Sequence, residues 1–287
     1  MLNVASKVVV ITGGTRGLGL EIARALSNHG ASVVICSRSQ ESVNRALESL
    51  RADRLTAHGM ACDVANLDEV KALARVALQQ HGRIDVWFNN AGISGPYGPT
   101  LDLRAQDFES VLNTNIFGTY HGSLIALRQF VSQGSGKLIN IIGAGAKRPI
   151  AFQNAYASSK SWIRNFTLAL AKEVEGRGVE AMVYQPGLMD TDLIRKVDVI
   201  EGYAQRLDPF KTVIQLLGKH PRVAAKKAVW LASSATDGKN GLETRAGGML
   251  TMLGSVLRFL GRRLTGQEQP EVELDIHRIP PESDPLQ

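Results

Sequence analysis

Residues 8–20 read VVVITGGTRGLGL, and the fold turns on them. Val8–Ile11 is a run of β-branched residues, which predicts a strand. Leu18–Asn28 then carries apolar residues at helical spacing. Between the two lie Gly13, Gly17 and Gly19. They allow a tight turn, close approach of backbone to a pyrophosphate, and packing of helix on strand, while the helix N-terminus supplies N–H donors. Glycines also serve ordinary loops, so it is the position between a first strand and a first helix that points to a nucleotide.

The same alternation continues. Strands are predicted at 32–36, 55–61, 84–88, 138–142 and 181–184, and helical patterns at 42–51, 67–80 and 157–173. Such an order implies an α/β, Rossmann-like doubly wound parallel sheet with helices on both faces. The 287 residues are 44% hydrophobic, enough for one large core. We expect one domain over 1–240, with a C-terminal helical extension and tail over 241–287.

The formal net charge of +6 would suit a phosphate-bearing ligand, an anionic membrane surface or nucleic acid. Aromatics are only 6% and no basic run is interleaved with them, which argues against nucleic acid. Cys36 and Cys62 have no CxxC spacing or histidine neighbours, so neither a disulfide framework nor a metal site is expected. With no basic, cleavable leader apparent, the expected compartment is the reducing cytosol.

The end of the second strand separates the nicotinamide cofactors. An NAD site presents a carboxylate there to the ribose, but this chain has Cys36-Ser37-Arg38. Ser37, Arg38 and Arg16 in the glycine turn would clamp a 2′-phosphate, which selects NADP(H). The alternative is that both arginines only solvate the surface.

Further along stand Asp63, Asn89-Asn90-Ala91-Gly92, Asn115, Tyr156-x-x-x-Lys160 and Pro186-Gly187. With the glycine turn, and in this order over about residues 5–235, they resemble the short-chain dehydrogenase/reductase family. The resemblance implies cofactor contacts from Gly13, Thr15, Arg16, Gly17, Leu18, Gly19, Ser37 and Arg38. It adds Asp63 and Val64 at the adenine, Asn90, Ala91 and Gly92 at its ribose, and Pro186, Gly187 and Thr191 around the nicotinamide. It also implies a homodimer or homotetramer.

In that family Tyr156 would be the acid/base, Lys160 would favour its phenolate and hold the nicotinamide ribose, and Asn115 would position a relay water. An alkoxide left by hydride transfer needs a proton, and a free phenol with a pKa of about 10 gives and takes one slowly. The family's serine, thirteen residues before the tyrosine, is Gly143 here, and residues 136–155 hold no serine or threonine. Losing one donor from an oxyanion-type site costs roughly 10²–10³ in rate. Either a backbone N–H of the Gly143–Gly145 turn, a water, Gln153 or Asn154 takes its place, or a bulky substrate uses the space, or the protein binds NADP as a sensor or scaffold and turns over poorly. The Gly-Ala-Gly segment also resembles the chlorophyll b reductase branch, which would imply a large ring aldehyde.

Residues 188–220 should form a lid, and their many apolar side chains suit a lipophilic carbonyl or alcohol, or simply pack on the sheet. After 228–234 no closing strand is evident. Residues 246–264 carry an apolar helical stripe followed by Arg258, Arg262 and Arg263. It would pack within or between subunits, or lie on a membrane interface as a peripheral contact. Beyond it, the Val272-Leu274-Ile276 alternation would pair with a sheet edge.

Overall fold

The computed structural model describes residues 3–247 and 272–282. Strands β1 (Val8–Thr12), β2 (Ser32–Ser37), β3 (Ala57–Ala61), β4 (Val86–Asn89), β5 (Gly136–Ile141), β6 (Val179–Gln185) and β8 (Glu243–Arg245) form one sheet in the order β3-β2-β1-β4-β5-β6-β8. Every pairing is parallel. This is the doubly wound α/β architecture that the strand and helix alternation implies.

Period-two alternation divides the core. Val9, Ile11, Val33 and Ile35 face one side, where Ile22 and Leu26 of α1 (Gly17–Asn28) and Ala224 and Ala228 of α9 (Pro221–Ala232) cover them. Val8, Val10, Val34 and Trp87 face the other, under Leu73 of α3 (Leu67–His81) and Phe130 of α5 (Gly118–Gln133). All five residues of β1 are buried, as a strand covered on both faces requires. Helix α2 (Gln40–Ala52) sends Ala46 and Leu50 to the first face, and α6 (Asn154–Glu173) sends Ala171 to the second.

Several elements differ from expectation. The closing strand exists: β8 lies beside β6, past the boundary drawn at 240, with Val183 opposite Glu243. Its three residues are Glu, Thr and Arg, so no apolar pattern announces it. Helices α4 (Ala105–Val111) and α5 were not drawn from the sequence, nor was the π-helical stretch Leu112–Phe117 between them.

The lid is built from α7 (Asp192–Arg195), β7 (Lys196–Ile200) and α8 (Asp208–Leu217). Strand β9 (Asp275–Ile279) pairs with β7 in a second, two-stranded parallel sheet. The tail therefore reaches a sheet edge, but the edge is the lid's, and the strand starts later than the 272–276 alternation. Residues 248–271, with most of the apolar stripe at 246–264, lie outside the described residues, as do the contacts expected of it. Among the described residues no helix is long and apolar enough to cross a membrane.

Candidate active site

A cleft of about 680 Å³ lies where the strand order changes direction, over the carboxyl ends of the central strands. It gathers Gly13, Thr15, Arg16, Gly17, Leu18, Gly19, Ser37, Arg38, Asp63, Val64, Asn90, Ala91, Gly92, Gly143, Tyr156, Lys160, Pro186, Gly187 and Thr191. Every expected site residue except Asn115 is on its wall.

The floor at one end is backbone. Gly13 and Gly17 have φ of 63° and 53°, a region that penalises a Cβ. A Cβ on Gly19 would run into the Gly13 carbonyl oxygen. Thr12 Oγ1 accepts from the backbone N–H groups of Asn90 and Ala91, 3.1 Å each, and the Asn90 amide donates to the carbonyls of Thr12 and Gly13 at 3.0 Å. The turn after β1 is thus tied to the turn after β4.

Helix α2 is capped by Ser39 and α3 by Asn66, whereas α1 has no side-chain cap among the described residues. Its first N–H groups and the positive end of its dipole are left to an anion. Cradle, uncapped helix and the absence of a carboxylate at 36–38 fit a dinucleotide diphosphate followed by a phosphorylated ribose. Arg38 is exposed beside Ser37 on the cleft wall. Arg16 instead reaches Asp192 at 3.5 Å, an exposed pair across the cleft mouth whose contribution is small.

At the other end the π-helical stretch turns Asn115 inward, where it is fully buried. A π turn shifts side-chain register within a helix, and such turns recur at functional sites. Asn115 Oδ1 accepts from Ile93 N at 2.9 Å, and its amide donates to Ile93 O at 3.0 Å and to Ser159 Oγ at 2.9 Å. Both amide hydrogens are spent on protein partners, so the side chain braces the strand-end loop. A Cβ on Gly92 would lie 3.2 Å from Asn115 Oδ1 and 3.4 Å from Lys160 Nζ, so glycine lets both approach.

Tyr156 and Lys160 lie one turn apart on α6. Lys160 is 6% exposed; its Nζ donates to Ile141 O at 3.3 Å and lies 5.6 Å from the centre of the Tyr156 ring. Burial pushes the Tyr156 phenol up to about 12 and the Lys160 ammonium down to about 8. Both shifts favour the neutral form, the mark of desolvation.

The missing serine has a geometric answer. A Cβ on Gly143 would land on the Tyr156 hydroxyl. The phenol is seated where a side chain at 143 would be. Gly145, with φ of 91°, lies so close to Ala157 that a Cβ would overlap the backbone of α6. Of the two polar substitutes considered, Gln153 lines the cleft, while Asn154 bonds Thr100 at 3.2 Å.

The lid closes this end with Met189, Leu193, Ile194, Leu207, Phe210 and Val213. Sequence reading missed Tyr97 on the cleft, whose ring lies 5.7 Å from that of Phe152, which in turn lies 5.8 Å from that of Tyr203. It also missed Arg206 and Arg245, both on the cleft. Phe152 has φ of 65°, which no local pattern signals.

The family model described as short chain dehydrogenase matches residues 7–200. The chain belongs to that family. It is thereby an oxidoreductase of the carbonyl and alcohol type. As a short chain dehydrogenase it is 32% identical over 192 residues to the 3-oxoacyl-(acyl-carrier-protein) reductase FabG of Chlamydia pneumoniae, covering 67% of this chain and 77% of that protein. An actinorhodin polyketide ketoreductase crystallised with NADPH superposes with a TM-score of 0.77 at 27% identity, over 87% of this chain and 99% of that one. A gluconate 5-dehydrogenase from Burkholderia cenocepacia, crystallised with NADP and tartrate, gives 0.75 at 26%, over 87% and 96%.

Proposed function

We propose that the protein is an NADP(H)-dependent oxidoreductase of carbonyl or alcohol groups on lipophilic small molecules. The observation that carries this reading is the seating of the Tyr156 hydroxyl against Gly143, inside the cleft, with Lys160 one turn away. A bound NADPH supplies the hydride. Tyr156, kept protonated by burial, donates its proton to the substrate oxygen as charge develops there. Lys160 stabilises the phenolate that remains and returns a proton to it. Asn115 holds the Ile93 loop and Ser159, and through them the position of α6.

Because the phenol occupies the space at 143, it approaches the substrate oxygen from the side where the family's serine would stand. Arg38 and Ser37 would receive the 2′-phosphate, the uncapped α1 terminus the diphosphate, and Asp63 and Val64 the adenine. NADP crystallised in the gluconate 5-dehydrogenase and NADPH in the ketoreductase support the cofactor. The apolar lid supports a lipophilic substrate.

A sensor or scaffold that turns over poorly draws on the missing hydroxyl and on the unusual C-terminal tail. Following NADPH oxidation at 340 nm with lipophilic aldehydes and ketones separates the two: turnover that needs Tyr156 supports the enzyme, and tight NADPH binding with no turnover supports the sensor. A homodimer or homotetramer would use the α5 and α6 face, where Phe117 and Tyr120 are 50% and 41% exposed beside the stacked rings of Trp162 and Phe166. Sedimentation analysis reads that directly.

A further inference from the structure

The cleft holds a cation that the chemistry above does not use. The Arg206 guanidinium lies over the Phe152 ring at 4.8 Å and near that of Tyr203 at 5.8 Å. Burial pushes the Tyr97 phenol above its usual value, and the nearby charge of Arg206 opposes part of that rise. Arg206, Tyr97 and Gln153 line the same cleft as Tyr156. Phe152 lies four residues before Tyr156 in the chain, and Gln153 between them lines the cleft, which puts Arg206 toward the Tyr156 end.

Two features mark the arrangement as built. Phe152 is held at φ of 65°, costly for a bulky side chain, with its carbonyl accepting from Gly98 N at 2.9 Å. Arg206 forms no ion pair among the described residues, although the chain pairs many of its arginines. The other cations of the cleft are differently placed. Arg16 meets Asp192, Lys160 is buried against Ile141 O, Arg38 sits at the adenosine end, and Arg245 ends β8.

A guanidinium held near aromatic rings, with no carboxylate partner of its own among the described residues, keeps N–H donors that can pair with a carboxylate in a fork. We propose that Arg206 is a specificity residue that takes a carboxylate at the far end of the substrate, so that the preferred substrates are lipophilic oxo acids or hydroxy acids rather than neutral carbonyls. The apolar lid covers the chain between the two polar ends. This rests on the reading of Tyr156 as the proton donor to the substrate oxygen.

The test is calorimetric titration of the protein saturated with NADPH, using octanoate and its methyl ester. A charge-assisted pair predicts that octanoate binds about tenfold more tightly. Arg206→Gln should abolish that preference and leave the ester and NADPH affinities unchanged. Arg206→Lys should restore it in part, since it keeps the charge and loses the fork. Equal binding of acid and ester to the unaltered protein, or a preference that survives Arg206→Gln or disappears only in Arg245→Gln, overturns the proposal. NADPH oxidation with 8-oxooctanoate and with octanal is scored separately. A carboxylate preference in binding with no oxidation of either would sink the role of Tyr156 and uphold that of Arg206.

Discussion

The two ends of the cleft are made of different material. The cofactor end is backbone: glycines at positive φ, an uncapped helix terminus and strand ends locked by Thr12 and Asn90. The substrate end is side chains on short elements, α7, β7 and α8, with β9 brought in from far along the chain. A backbone site depends on the few positions where a side chain cannot be tolerated. A side-chain site depends on chemistry that neighbouring residues do not reveal.

The largest test of that division is Tyr156→Phe. Removing a positioned proton donor should lower turnover of a lipophilic aldehyde by about 10³-fold, with the NADPH dissociation constant unchanged in a fluorescence titration. Near-normal turnover would end the assignment. Next comes Gly143→Ser, where the geometry inverts the simple expectation that a hydroxyl would help. The new Cβ meets the Tyr156 hydroxyl, so kcat should fall by roughly 10²-fold while NADPH still binds, given how steeply rate depends on donor position. A serine variant as fast as the parent would show that Tyr156 moves aside freely.

Arg38→Ala probes the other end. Loss of a charge-assisted contact to the 2′-phosphate should weaken NADPH by about tenfold and leave NADH unaffected. Equal loss for both cofactors would take Arg38 off the phosphate. The smallest effect, near neutrality, is on pH. With Lys160 lowered to about 8 and Tyr156 raised to about 12, the ammonium is present below pH 8 and lost above it, while the phenol stays protonated. The rate of carbonyl reduction should therefore be flat below about pH 8 and decline as pH rises through it. A profile that climbs between pH 7 and 9 would contradict the roles given to both groups.

Legibility in the sequence followed the same division. The strands from Val8, Ser32 and Leu138 and the glycine turn were plain because burial on both faces and positive φ each restrict residue choice. Strand β8 was invisible because Glu243, Thr244 and Arg245 carry no apolar period. Glu243 accepts from Arg164 at 2.7 Å and pairs with Lys147 at 2.7 Å, which ties the edge of the sheet to α6 and to the loop after Gly143. The π turn at Asn115 and the left-handed Phe152 were hidden for another reason. Both are conformations imposed by packing on residues whose local preferences do not favour them. That Gly143 is the seat of Tyr156 required coordinates, since thirteen residues separate them in the chain.

The pairing of β9 with β7 bears on the order in which the molecule becomes competent. A chain emerging from the ribosome folds from its N-terminal side. The sheet through β8 can be complete, with the dinucleotide cradle formed, while the strand that borders the lid is still inside the exit tunnel. The nascent protein would then acquire its two capacities in sequence, holding the nucleotide first and enclosing a substrate only once residues 275–279 have been made and released.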